Sequence, residues 1–233
     1  MKNIFISGTS SGLGKYLYKN IIGSMKFHRN KTNKVDKQSI LIHCAFFKKK
    51  INSKKNMKLV LETMNLFKKI EKCQFEKIIF ISTIDINNDE FKKNLYVKLK
   101  KKIENKISLK KKYYIFRCGM LVGKYMKKNS LVKLINSKVK TEITLSKSSS
   151  IYLTSHSDVC ELIKKIIKSK DFKFGTYNLI SKNKFYFKNF KNKNILFGNY
   201  KLNYKKLSNM KLQRNFNFHL KSVNKIISEI EKL

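Results

Sequence analysis

The sequence predicts an α/β domain built on a doubly wound parallel sheet. Three observations predict it. Short, solidly apolar runs alternate with longer amphipathic ones through residues 1–181. The apolar runs lack the in–out alternation of a half-exposed sheet, so both faces of the sheet must be covered. A glycine-rich turn lies between the first apolar run and the first amphipathic one.

Taken in order, residues 2–8 (KNIFISG) read as a buried strand closed by Gly8. Residues 12–23 place Leu13, Leu17 and Ile21 on one helical stripe, with Gly23 as the C-cap. The stretch 24–38 is polar and takes no assignment. Residues 39–46 (SILIHCAF) form a second strand, and 57–73 carry Met57, Val60, Leu61, Met64 and Phe67 at helical spacing. Residues 77–83 (KIIFIST) form a third strand. A helix over 89–107 turns Phe91, Leu95, Leu99, Ile103 and Ile107 inward, and 113–119 (YYIFRCG) form a fourth strand. Asp158 and Glu161 make a capping box for a helix over 159–169, and 175–181 form a further strand. Beyond 182 the chain is rich in Lys and Asn. It closes on an amphipathic helix with Val223, Ile226, Ile227 and Ile230.

Composition excludes several classes. A chain of 233 residues at 42% hydrophobic suits one core with a small appendage. No apolar run reaches the ~18 residues of a membrane span, and MKNIFISGTSSG lacks the apolar stretch of a secretory signal. The cysteines (Cys44, Cys73, Cys118 and Cys160) are scattered and form no C-x-x-C pair, so neither a metal site nor a disulfide framework is expected. A reduced, cytoplasmic protein is the expectation. The formal charge of +40 invites a nucleic-acid reading, but only Arg29, Arg117 and Arg214 among the 54 basic residues are arginine. Bidentate recognition of bases and phosphates favours Arg. Pro and Trp are absent and Ala45 is the single alanine, while Lys, Asn, Ile, Phe and Tyr abound. That is the signature of A/T-rich codons filling surface positions with Lys. No specific nucleic-acid partner is expected, only a salt-sensitive affinity for polyanions.

The turn SGTSSGLGK sets Gly8, Gly12 and Gly14 between the first strand and the first helix. A pyrophosphate needs glycine there: the chain turns sharply, the backbone approaches the ligand, and the helix sits close on the sheet. The helix N-terminus offers N–H groups and a positive dipole end. The candidate cradle is Gly8, Thr9, Ser10, Ser11, Gly12, Leu13 and Gly14; the alternative is a glycine-rich turn with no ligand.

This Rossmann-like start resembles the short-chain dehydrogenase/reductase superfamily, in which the spacing G-x-x-x-G-x-G follows the first strand. Further matches come in the family's order. ILIHCA, ending at Ala45, resembles the strand end beside the cofactor, and FISTIDINN resembles the segment bringing Ser82 and a catalytic Thr83. Tyr96 and Lys100 in NLYVKLKKKIE then stand four apart, with Glu104 following. With 11 Tyr and this much Lys, chance supplies about two such pairs, so their place after the third strand carries the match. YIFRCGMLVG, SHSDVCELI and GTYNLIS resemble later pieces of the extended, sugar-nucleotide branch. The resemblance covers residues 1 to about 181. It implies an NAD(P)-binding region over 1–181, a small C-terminal substrate cap over 182–233, and a homodimer.

The implied chemistry has a physical basis. Hydride transfer at a carbonyl needs a proton moved in step, and a free phenol, with a pKa near 10, is a poor base at neutral pH. A Lys one turn away on the same helix face favours the phenolate. Thr83 would hydrogen-bond the substrate oxygen, or it caps the strand end. Arg117 contacts a substrate phosphate or anchors its own loop. Arg29 falls where the family places a residue choosing between cofactors, and tilts the expectation toward NADP over NAD. His43 reads as a packed histidine, Asp85 as a cap and Glu104 as part of a solvated face.

Two departures stand out. His43 comes only 29 positions after Gly14, so one strand should be missing or reduced. Ile84 and Asp85 occupy the place of the dehydratase subgroup's acidic pair, which argues against dehydration. The resemblance implies oxidation, reduction or epimerisation of a nucleotide-activated sugar in surface polysaccharide synthesis. The rivals are a non-catalytic NAD(P)-binding sensor or scaffold and a basic nucleic-acid-binding protein.

Overall fold

The computed structural model describes residues 2–28, 34–46, 54–110, 112–126, 130–135, 137–169, 171–190 and 192–232. The chain divides into two compact units, Met1–Phe116 with Lys173–Thr176, and Arg117–Phe172 with Tyr177–Leu233. The first unit runs β1 (Ile4–Ser7), α1 (Gly12–Asn20), β2 (Ser24–Lys26), β3 (Ile40–His43), α2 (Lys54–Lys72), β4 (Lys77–Thr83), two 3₁₀ turns (Ile84–Asn87 and Asp89–Phe91), α3 (Leu95–Ser108) and β5 (Tyr113–Cys118). The chain continues with β6 (Met120–Val122), α4 (Ser130–Ile135), β7 (Thr141–Leu145), β8 (Ser150–Ile151), β9 (Leu153–Ser155), α5 (His156–Lys168) and β10 (Gly175–Leu179). It ends with β11 (Phe185–Tyr186), a 3₁₀ turn (Phe187–Asn189), β12 (Ile195–Tyr200), α6 (Met210–Phe216) and α7 (Val223–Glu231).

The main sheet has six strands in the order β10-β5-β4-β3-β1-β2. β1 pairs in parallel with β2 and β3, and β3 in parallel with β4. Every residue of β1, β3 and β4 is buried, which is why these runs are solidly apolar. Leu66, Phe67 and Ile70 of α2 and Ile103 and Ile107 of α3 share one core cluster with Phe5, Leu41, Ile78, Phe80 and Ile115 of the strands. Each fully buried side chain of this size contributes about 1.5–3 kcal/mol. Leu13, Leu17 and Ile21 of the first helical stripe are buried as expected. The fold class is the expected one, a Rossmann-like α/β sheet.

In the second unit β6 pairs in parallel with β9, β7 in parallel with β12, and β8 antiparallel with β11. α5 buries Val159, Cys160, Leu162, Ile163 and Ile166, and α7 buries Ile226 and Ile230. Gly123 sits at φ +147°, where a Cβ would lie 2.8 Å from Cβ of His156. Glycine is therefore required there on both counts.

Several elements differ from the sequence reading. The unassigned stretch holds β2, an edge strand of three residues, which is the reduced strand that the short Gly14–His43 spacing implies. α1 ends at Asn20 with Ile21 as its C-cap, and Gly23 (φ +72°) belongs to the following turn. The inner stripe of α2 runs through Thr63, Leu66, Phe67 and Ile70, leaving Leu61 58% exposed. Leu61 looked inward because Lys and Glu neighbours made every apolar residue seem a core one. The helix placed over 89–107 starts only at Leu95, because Asn94 accepts the Tyr96 N–H at 2.9 Å and sets the N-cap there. Leu95 is consequently exposed. The N-cap of α5 is Ser155, whose hydroxyl accepts the Ser157 N–H at 3.2 Å. Asp158, read as that cap, lies inside the helix and is buried. Glu104, read as solvated, is buried too.

No helix among the described residues is long and apolar enough to cross a membrane. Among them, no group of three or more His, Cys, Asp or Glu residues is placed to hold a metal ion.

Candidate functional site

Three segments of the first unit meet at the C-terminal end of its sheet: the turn after β1, the residues after β3, and the end of β4 with α3. The turn is held by contacts only glycine permits. A Cβ on Gly14 would lie 2.2 Å from the Gly8 carbonyl oxygen, and one on Gly8 (φ +77°) would lie 2.9 Å from Cα of Ala45. Gly12 differs. At φ +57° it opens α1, and a Cβ there would meet nothing within 4 Å. Ser11, the N-cap, makes no side-chain capping bond, and the first turn of α1 carries no acidic residue. The arrangement presents N–H groups and the positive end of a helix dipole beside open space, the geometry a phosphate group accepts. The residues fit a dinucleotide's pyrophosphate on this ground.

The end of β3 is tied to the same turn. Ser7 and His43 are register partners, with Ser7 Oγ 2.7 Å from His43 Nδ1. The Ala45 N–H donates to Ser7 Oγ at 3.3 Å. The imidazole stacks on Phe80, centroids 5.5 Å apart. Burial, with a smaller contribution from the Lys100 charge, depresses the His43 pKa to about 3, so the ring is neutral.

Tyr96 and Lys100 lie one turn apart on α3. Lys100 is buried, and its ammonium donates to the Ile81 carbonyl at 2.5 Å. It sits 4.1 Å from the Phe46 ring centroid, 4.6 Å from that of Phe80 and 5.7 Å from that of Tyr96. Aromatic faces stabilise a desolvated cation by up to about 2 kcal/mol each. The Phe46 and Tyr96 rings pack edge to face at 5.1 Å, and Tyr96 is half-buried. Thr83 Oγ1 accepts the Asp85 N–H at 3.2 Å, so this hydroxyl does cap the strand end while its own proton stays available to donate. Ser82 is buried.

The structure thus gathers the glycine loop, Ala45, Ser82, Thr83, Tyr96 and Lys100 within one unit. Arg117 is half-buried on β5 and belongs to the second unit. Arg29 lies outside the described residues. Sequence reasoning did not single out Phe46 or the Ser7–His43 bond. Phe46 stands directly after Ala45, but nothing in the sequence aims its ring at Lys100.

The second unit holds a pocket of about 850 Å³, lined among others by Tyr152, Lys184, Phe185, Tyr186, Leu207 and Ile227. Lys184 donates to the Tyr204 carbonyl and lies 5.8 Å from the Tyr152 ring centroid.

No protein-family model and no curated protein sequence matches the chain. Solved structures do match it, over nearly its whole length. MoeE5 in complex with UDP-glucose and NAD is 12% identical with a TM-score of 0.76, covering 98% of this chain and 97% of that one. UDP-N-acetylglucosamine 4-epimerase from Bacillus cereus is 17% identical with a TM-score of 0.71, covering 100% and 96%. RMD from Pseudomonas aeruginosa, complexed with NADPH, is 13% identical with a TM-score of 0.72, covering 100% and 99%. The chain has their fold. At such identities the likeness is one of architecture, and the chemistry has to be argued from this chain's own residues.

Proposed function

We propose that the protein binds a nicotinamide dinucleotide at the loop Gly8–Gly14 and acts as an oxidoreductase or epimerase on a nucleotide-activated sugar. The observation that carries the reading is the uncapped start of α1, opened by Gly12 onto free space, in the same unit as the Tyr96–Lys100 pair. Gly8, Thr9, Ser10, Ser11, Gly12, Leu13 and Gly14 would hold the pyrophosphate through their backbone. Ala45 and Ser82, at the ends of β3 and β4, would flank the remainder, and Lys100 would hold the ribose. The dinucleotide, when bound, supplies or accepts hydride. Tyr96 moves the accompanying proton to or from the substrate oxygen, and Lys100 steadies the phenolate electrostatically. Thr83 donates its remaining proton to the same oxygen. Arg117 and the C-terminal region 182–233 would hold the sugar nucleotide. Arg29 tilts the choice toward NADP. A cytoplasmic homodimer serving surface polysaccharide synthesis accords with this reading. The fold neighbours support it through their ligands: UDP-glucose and NAD in one, NADPH in another.

Calorimetry with NAD and NADP tests the binding half. Gly12→Val puts a branched side chain into the open space and should abolish measurable affinity; equal affinity in both proteins would sink the assignment. A sugar-nucleotide panel tests the catalytic half. Tyr96→Phe should keep the fold and cofactor affinity and lose turnover by at least about a hundredfold. Wild type that binds dinucleotide yet turns over no member of the panel would point to a non-catalytic binding module.

A further inference from the structure

We propose that His43 is a positioning residue for the dinucleotide loop, acting through Ser7 and without touching the ligand. The proposal rests on the dinucleotide reading of the loop for its consequence, but not for its geometry.

One hydroxyl links the two strand ends. Ser7 Oγ accepts the Ala45 N–H and makes a second hydrogen bond with His43 Nδ1, in which the imidazole tautomer sets which atom donates. Nε2 is buried and has no hydrogen-bond partner among the described residues. An apolar side chain of similar size would fill this place without leaving a buried polar nitrogen unsatisfied. Beyond packing, what the imidazole adds is therefore the Nδ1 bond.

The bond's position gives it its effect. Ser7 is the last residue of β1, and Gly8 turns immediately after it. Gly8 packs closely on the end of β3, where a Cβ on it would lie 2.8 Å from the Ala45 nitrogen. The Ser7 hydroxyl fastens these two strand ends, and His43 fixes that hydroxyl. The ring itself is held by stacking on Phe80, over which the Lys100 ammonium also lies. The imidazole stands between the phosphate loop and the Tyr96–Lys100 helix, and settles how the first is held.

The test compares wild type with Ser7→Ala, His43→Leu, their double variant and His43→Asn. The asparagine amide offers both an acceptor and a donor to the Ser7 hydroxyl, so it keeps the bond whichever way it runs. Amide hydrogen exchange over residues 8–14 is read first. Ser7→Ala and His43→Leu should speed it by the same factor, about tenfold. The double variant should be no faster than either single, and His43→Asn should stay near wild type. Dinucleotide affinity should fall in parallel, about tenfold in the two single variants. Wild-type exchange in His43→Leu, or effects that add in the double variant, overturns the proposal. Should wild type bind neither NAD nor NADP, the functional reading falls, while loop exchange still decides the role of His43.

Discussion

Gly12 and Gly14, two residues apart, are glycine for different reasons, and the difference is measurable. Gly14 is a packing glycine: a Cβ there strikes the backbone of Gly8 at 2.2 and 2.7 Å, and backbone cannot swing aside. Gly12 is a conformational glycine with open space around it. Gly14→Ala should therefore cost at least about 2 kcal/mol of stability. Gly12→Ala should cost only the roughly 1–2 kcal/mol of a left-handed backbone. Urea unfolding of the two variants checks the order, and a reversed order would contradict the packing described above. Lys100 shows the same dependence on surroundings. A buried ammonium is tolerable because the Ile81 carbonyl and two aromatic faces receive it.

At the scale of elements, α5 carries a carboxyl in an unusual state. Burial raises the Asp158 pKa from 3.8 to about 6, despite the Lys221 backbone N–H that donates to it at 3.0 Å and the Lys221 ammonium 3.9 Å away. Between pH 4 and 6 the folded state keeps a proton that the unfolded chain has lost, so Asp158 makes the protein less stable as pH rises through that window. The buried histidines act oppositely. His43 and His156 are depressed to about 3 and about 4, chiefly by burial, and their contribution to stability is lost as pH falls below the ordinary 6.5. Asp158→Asn should remove the opposing contribution. Its stability should fall on acidification from pH 6 to 4 more steeply than that of wild type, by about 1.4 kcal/mol per pH unit. Urea midpoints across that range decide it, and parallel curves would place Asp158 in solvent.

For the whole molecule, charge is the dominant fact. With 54 basic against 14 acidic residues, positive charge outnumbers negative nearly four to one. Of the ion pairs, Lys2–Glu76 and Lys221–Glu229 close to 2.6 Å, while Lys92–Asp89 is largely exposed and contributes little. Such a surface attracts polyanions without reading them. Binding to duplex DNA should fall steeply between about 50 and 200 mM salt and show no sequence preference. Fluorescence anisotropy with two unrelated duplexes measures this. A complex that prefers one sequence and survives physiological salt would reopen the nucleic-acid reading.

The sequence by itself determined the solidly apolar strands, the glycine turn and the stripe of α1, because burial on both faces and backbone approach each demand particular residue types locally. KNIFISG, KIIFIST and SGTSSGLGK could hardly read otherwise. It also placed Tyr96 and Lys100 one helical turn apart, since that spacing is a property of the helix alone. Tertiary structure decided the rest. A lysine-rich chain shows similar polarity on every helix face, so only packing could leave Leu61 exposed and bury Glu104. Side-chain hydroxyls and amides compete for each helix start, and Asn94 and Ser155 won over the starts read from sequence. β2 is three residues long and becomes a strand only by pairing with β1. The bond between Ser7 and His43, 36 residues apart in sequence, exists because parallel register sets their strands side by side. No local pattern records a partner that distant, for the contact is created by the sheet.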